Sequence, residues 1–300
     1  MSKHSARRHH LGLGIGYMLA ATVFLAAADS LGKWLTTGYP IVQVAWIRSL
    51  FGMALIGGFA LATGRGAQLF TARPGWHLFR SVLSTYMILC IFYGLKHITL
   101  AEFTALVFSA PFMIALISPR FLGEHVPAQA WLAIAIGFAG VLLIARPVPG
   151  HFHLAHLTTL TLAASVAVIS ASGRILSTTE TALALNFYLY PFNVLASAYW
   201  ALGAWVPPSG RDWLLFAALG ITATAAVGVF IQALRHARPA AIAPFDYVRL
   251  IWICLLGYFI WAEIPPPLTW AGIALIAVSG IYLVSHGSTL PELGTEAAED

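Results

Sequence analysis

The chain is a succession of apolar stretches broken by short polar or proline-containing junctions. Ten stretches are long enough to be read as membrane-spanning helices, over residues 12–35, 41–62, 77–97, 101–119, 127–145, 154–175, 182–203, 213–235, 240–261 and 267–285. At about 1.5 Å per residue each crosses roughly 30 Å of hydrocarbon, the shorter ones with little tilt. Prolines mark several junctions, at Pro40, Pro74, Pro127, Pro239 and the run Pro265-Pro266-Pro267. A proline that opens a helix forfeits no internal hydrogen bond. The basic segment 1–10 and the acidic segment 287–300 flank this pattern and are expected to be disordered.

The polar punctuation occurs twice. Leu95-Lys96-His97 matches Leu234-Arg235-His236, Ala101 matches Ala240, Glu124 matches Glu263, Pro127 matches Pro266 and Trp131 matches Trp270. Each pair is 139 residues apart, as from His97 to His236. The expected fold is therefore all-α and integral to the membrane, with ten transmembrane helices in two five-helix units, 11–146 and 153–286. An odd number of helices per unit turns the second copy upside down in the bilayer. Inverted repeats are the architecture of alternating-access transporters, which build their site near the midplane between the halves.

Composition agrees with this pattern. The 300 residues are 59% hydrophobic and 9% charged, and the mean hydropathy is +0.82. Soluble domains carry roughly 25% charged residues, so a soluble globule is excluded. The pI of about 9.4 does not indicate nucleic acid, because the cations stand singly between apolar runs, as loop anchors do. With the N-terminus inside, Lys3, Arg7, Arg8, Arg65, Arg73, Arg120, Arg174, Arg235 and Arg238 fall on the inner side, and Lys33, Lys96, Arg146 and Arg211 on the outer. Both termini are accordingly expected in the cytoplasm. Cys90 and Cys254 lie in apolar runs at unmatched repeat positions and read as buried thiols. The run His151, His153, His156 lacks the ligand set of a metal site. Gly12–Gly16 is not preceded by a strand and is no nucleotide loop. No cofactor or metal is expected, and ATP-driven transport has no motif to support it.

Six ionisable residues fall within the apolar runs: Asp29, Arg48, Arg80, Glu102, Asp246 and Arg249. Each costs roughly 2.5–3.5 kcal/mol on insertion scales and so faces a partner or a cavity. Arg80 and Glu102 lie near span ends, where they could anchor at the interface. Asp29 and Arg48, on consecutive helices, are expected to form a structural ion pair. Asp246 and Arg249 are the deepest charges and lie one turn apart on a single face. They could neutralise each other; equally, they could offer a carboxylate to a substrate's ammonium and a guanidinium to its carboxylate. Pro244 and Tyr247 beside them would perturb the helix and add an aromatic surface. The expected substrate site is Asp246, Tyr247, Arg249 and Trp252 on helix 9, facing Tyr86 and Phe108 on helices 3 and 4.

The doubled unit and its motifs resemble the drug/metabolite transporter superfamily, in particular its EamA branch, over about residues 11–285. The residues that carry the resemblance are Phe121-Leu122-Gly123-Glu124 and Ile260-Trp261-Ala262-Glu263, each leading through proline and tryptophan into a Gly/Ala-rich helix that ends at Gly140 or Gly280. Lys33, Arg48 and Ala110-Pro111 add to it, whereas Arg249-Leu250 replaces Ala110-Pro111 in the second copy. The resemblance implies a secondary transporter in a bacterial-type cytoplasmic (inner) membrane that exports amino acids, among them aromatic ones, or related small metabolites. It also implies helices 5 and 10 as scaffold or dimer contacts, in a monomer or homodimer. The alternatives are an importer of a larger metabolite, such as a nucleotide-derived cofactor or vitamin, and an intramembrane enzyme. The enzyme reading is weakest, because no nucleophile lies near Asp246 and Arg249 in sequence. The partners expected are a small-molecule substrate and the lipid bilayer, not nucleic acid.

Overall fold

The computed structural model describes residues 3–121, 128–146, 153–237 and 239–286. Glu124, Pro127, His151 and the acidic segment 287–300 lie outside the described residues. Within them the chain forms α1 (Lys3–Gly38), α2 (Ile41–Ala62), α3 (Pro74–His97), α4 (Leu100–Val107), α5 (Ala110–Phe121), α6 (Ala128–Ala145), α7 (Leu154–Leu176), α8 (Ala182–Phe187), α9 (Pro191–Gly203), α10 (Gly210–His236), α11 (Pro239–Asp246), α12 (Val248–Trp261) and α13 (Pro267–His286). A short 3₁₀ turn spans Gly66–Leu69. No strand occurs among the described residues.

Seven stretches are long and apolar enough to cross a bilayer: Leu11–Gly38, Ile41–Ala62, Pro74–His97, Leu100–Ile117, Leu154–Leu176, Gly210–His236 and Pro244–Trp261. Trp131–Ala145 and Pro267–Leu283 are shorter apolar helices. The expected helix over 182–203 is split into α8 and α9, and neither piece has a span's length. Proline explains two of the three interrupted helices. Pro111 is the second residue of α5 and Pro191 the first of α9. A ring at either place removes an N–H and presses on the preceding turn, so the helix restarts there. The third interruption, between α11 and α12, falls at Tyr247, three residues beyond Pro244. Irregular backbone at membrane depth is tolerated only where protein or a cavity surrounds it.

Packing repeats between the two halves. α1 lies along α10, and α7 lies along α3. α12 touches α1 as α5 touches α7, while α2 pairs with α9, α4 with α12 and α6 with α13. Exchanging the halves maps these contacts onto one another except for α4–α12, whose counterpart would be α5–α11. α1 meets α2 only sparsely. The α2–α9 contact is polar: Asn193 donates to the Ser49 hydroxyl at 2.5 Å and Trp46 donates to the Val194 carbonyl at 2.9 Å, while in the connection after α9 both backbone groups of Val206 bond to Gln43 of α2. Phe92, Phe103, Phe112 and Phe216 fill the apolar core.

The α6–α13 contact brings two backbones together. A Cβ on Gly272 would fall 2.7 Å from the Gly140 carbonyl oxygen, and one on Gly140 would fall 2.8 Å from the Gly272 carbonyl oxygen. Small residues permit such approach in place of a hydrophobic driving force. These helices, expected as scaffold or dimer surfaces, face each other within one chain. Gly272→Val should lower the thermal midpoint in detergent, at an overpacking cost of about 1–3 kcal/mol. Gly228→Ala, where nothing lies within 4 Å, should be neutral or slightly stabilising. Equal midpoints for the two variants would refute the contact.

One end of the bundle is fastened by Glu180, in the loop between α7 and α8. Its carboxylate accepts from Thr71 Oγ1 at 2.9 Å and from the Ala72 N–H at 3.2 Å, and lies 3.4 Å from His77 Nε2. Burial pushes the Glu180 pKa up, but the hydrogen bonds from Thr71 and Ala72, with the His77 ring close by, outweigh it and hold the group below its ordinary value of 4.5. A carboxyl depressed on folding adds stability above its unfolded pKa and loses it as pH falls through the folded one. Glu180→Gln should therefore lower the melting temperature at pH 7, with the difference from the parent shrinking as pH falls below the ordinary carboxylate pKa of about 4.3. A pH-independent difference would contradict this.

Candidate functional site

The interruptions of α4/α5 and α11/α12 occupy equivalent places in the two halves. Phe108 closes α4 and Tyr247 opens α12, and they are separated by the same 139 residues that relate the repeated motifs. The two rings touch, with centroids 4.7 Å apart and planes 41° apart. The breaks thus meet each other inside the bundle. At Phe108 the chain is held by Ser109, whose N–H and hydroxyl both donate to the Leu106 carbonyl, at 3.0 and 2.6 Å. Tyr247 is seated against α13 so closely that Gly280 has no room for a Cβ beside the phenol oxygen.

Three ionisable groups converge here. Arg249 donates from Nη2 to Asp29 Oδ2 on α1, and both residues are buried. The guanidinium carbon lies 6.0 Å from the Phe108 ring centroid, within cation–π range. Asp246 is within electrostatic reach of Arg249 but has no hydrogen bond or ion pair among the described residues. Two carboxylates therefore share one guanidinium. The Arg249 Nε and Tyr247 hydroxyl are buried without a hydrogen-bond partner. A polar group left so in a protein interior costs about 1–3 kcal/mol, and it marks a place where a ligand could complete the bonding.

Of the residues expected at the site, Asp246, Tyr247, Arg249 and Phe108 come together. Tyr86 does not. It is 42% exposed on α3 and shares a 2.6 Å hydrogen bond with Thr161 of α7. Trp252 is 37% exposed and has no ring contact with Phe108 or Tyr247 among the described residues. The expected Asp29–Arg48 pair is replaced by Asp29–Arg249, because α1 packs along α10 and beside α12 rather than along α2. Arg80 is not an interface anchor. It is 4% exposed, and its Nη1 donates to the Ile169 carbonyl at 2.8 Å and the Ser172 hydroxyl at 2.7 Å. Glu102 caps α4 with Thr99.

The Lys33 end is closed by a second cross-half ion pair, Lys33 to Glu263 at 2.5 Å. Lys33 also donates to the Ile98 carbonyl at 2.8 Å, and Glu263 accepts from the Leu100 N–H at 2.9 Å. Asp29 and Lys33 stand four residues apart on α1, hence on one face. His153 and His156 form a capping box at the start of α7, where the Ala155 N–H donates to His153 Nδ1 at 3.0 Å.

Comparison with known proteins places this geometry. The chain is 26% identical over 271 residues to an S-adenosylmethionine uptake transporter of Rickettsia felis, covering 90% of this chain and 92% of the relative. It is 28% identical over 284 residues to a riboflavin transporter of Vibrio cholerae, covering 92% and 94%. It is 26% identical over 277 residues to the pseudopaline exporter CntI of Pseudomonas aeruginosa, covering 90% and 95%. A solved crystal structure, 22% identical, covers 94% of this chain and 98% of its own with a TM-score of 0.60, a likeness of fold. The model of the EamA-like transporter family matches residues 12–146 and again 153–286. The chain is therefore a multi-pass membrane protein that belongs to the EamA-like transporter family.

Proposed function

We propose that this protein is a secondary transporter with ten spans in two inverted five-helix halves, 11–146 and 153–286, and that it exports amino acids or related small zwitterionic metabolites by alternating access. The observation that carries the reading is the meeting of Phe108 and Tyr247, at equivalent helix breaks, beside one guanidinium and two carboxylates. Discontinuous helices at the interface of inverted repeats are where such folds hold substrate. An ammonium group would take Asp246, a carboxylate would compete with Asp29 for the Arg249 fork, and the aromatic pair would receive the side chain. Family and relatives are transporters rather than enzymes, and no cofactor is required by this arrangement.

The relatives favour a second reading, uptake of a cofactor or vitamin, since their names include S-adenosylmethionine uptake and riboflavin transport alongside pseudopaline export. Proteoliposomes separate the readings. Saturable, counterflow-competent movement of amino acids supports the first. Movement of S-adenosylmethionine or riboflavin with none of amino acids replaces it by the second.

Arg249→Lys keeps the charge against Asp29 but loses the planar fork, so transport should fall about tenfold or more with an unchanged melting temperature. Asp29→Asn leaves a buried guanidinium short of its counter-charge and should instead destabilise the fold, by up to about 3–5 kcal/mol. Normal transport by Arg249→Lys would move the site elsewhere. Both termini are placed in the cytoplasm of a bacterial-type inner membrane on the nine-to-four cation bias. Alkaline phosphatase fused after His286 should be inactive and a green fluorescent protein fused there bright; the reverse pattern would invert the topology.

A further inference from the structure

A cavity of about 450 Å³ opens at the Lys33 end of the bundle, away from the helix breaks. Its volume lies within the roughly 300–1,000 Å³ of small-molecule sites. Lys96 and Arg146 line it together with the Lys33–Glu263 pair, Glu102 and the imidazoles of His97 and His153. The charges in this wall do not balance. Glu263 is committed to Lys33 and to the Leu100 N–H. Glu102 is committed to the start of α4, accepting from the N–H and the hydroxyl of Thr99 at 3.2 and 2.9 Å. Lys96 and Arg146 are left with no carboxylate among the described residues.

Arg146 is the sharper case. Its Nε and Nη2 are buried with no acceptor. Buried N–H groups of a charged side chain are costly to leave unbonded. The residue also sits in the left-handed backbone region, at φ 41°, one that a long side chain seldom adopts. Such outliers persist where the surroundings enforce them and gather at ligand clamps. A planar guanidinium with free N–H groups on adjacent nitrogens matches the two oxygens of a carboxylate or phosphate. Lys96, exposed on α3, supplies a second, mobile cation. Beside them His97 and His153 stack at 5.2 Å with planes 20° apart, and Tyr93 lies 4.3 Å from His97. That stack gives the cavity a flat side.

We infer that this cavity is an oxyanion site in which Arg146 and Lys96 hold a carboxylate or phosphate group. The group is carried by a small solute or by a lipid headgroup; the chemistry at the two cations is the same. The site is separate from the Asp246–Arg249 cluster, whose guanidinium is already engaged by Asp29, and it stands whichever substrate is transported.

The test uses the full chain in nanodiscs. In phosphatidylcholine discs, citrate and inorganic phosphate are titrated by calorimetry; in discs containing phosphatidylglycerol, retained lipid is counted by native mass spectrometry. Saturable anion binding in the first arm, weakened about tenfold or more in Arg146→Gln and in Lys96→Gln, identifies a solute site. Retained phosphatidylglycerol that both variants lose, without anion binding in the first arm, identifies a headgroup site. Lys96 is exposed, so its variant keeps the fold even if Arg146→Gln does not, and melting curves report that directly. Absence of binding in both arms, or binding equal in parent and variants, overturns the inference. Transport is not the readout, so this result and the reading of the central cluster fail or stand separately.

Discussion

The Asp29–Arg249 pair is the interaction on which the interior depends. It links the two halves inside the bundle, joining α1 to the restart of a broken helix. Removing either partner would leave an uncompensated buried charge, whereas the intact pair must first offset the desolvation of both ions. Such a pair is weak evidence of net stability and stronger evidence of specificity. It fixes the rotation of α12 so that Arg249 is buried while Ile251, two residues on, is 58% exposed. It also leaves the second carboxylate, Asp246, without a dedicated partner among the described residues. A core holding two acidic groups and one basic group is one cation short, and an ammonium or a proton could make up the difference.

Around that pair the fold solves a backbone problem. Three helices are interrupted within the bundle, and every interruption frees carbonyl and N–H groups that apolar surroundings cannot satisfy. Near the α4/α5 break Ser109 turns back onto Leu106. At the α8/α9 break the N–H of Phe192 finds the Ser81 hydroxyl of α3 at 3.1 Å. The α11/α12 break is sheltered by Phe108 on one side and by the glycine face of α13 on the other. Gly280 thus serves the site through packing: it admits the Tyr247 phenol that a larger residue would expel.

Much of this was legible in the sequence, and the remainder failed for identifiable reasons. The apolar runs gave the helices, and the constant spacing of Glu, Pro and Trp pairs gave the doubling. The cluster of Asp246, Tyr247 and Arg249 with Phe108 followed from depth and from repeat position. The partner of Asp29 does not follow from the sequence, because adjacency along the chain suggests α2 as the neighbour of α1, whereas α1 packs on α10 and α12. Tyr86 and Trp252 were misplaced because helices apolar on every face carry no amphipathic stripe to say which side is inward. Arg80 stood near a helix end and so read as an anchor; its reach into the carbonyl of Ile169 depends on the close approach of α7, where Gly173 lies against the guanidinium. The breaks carried a usable signal in Pro111 and Pro191, each shortly after an aromatic residue.

Lys33 with Glu263, Asp29 with Arg249, and His77 beside Glu180 each join one half of the chain to the other. They lie at one end of the bundle, in its interior and at the other end. In the alternating-access cycle proposed above, the end links would be released in turn. The two end links are not equally placed for this. Lys33 and Glu263 keep side-chain exposures of 10% and 17% and border a cavity, whereas His77 and Glu180 keep 2% and 1%. The first pair is therefore somewhat more open to screening than the second. The second is sheltered and held by two further hydrogen bonds to the Thr71–Ala72 turn. Each end link is thus backed by two hydrogen bonds to neighbouring groups, and the one at the Lys33 end is the less sheltered, beside the unbalanced cations.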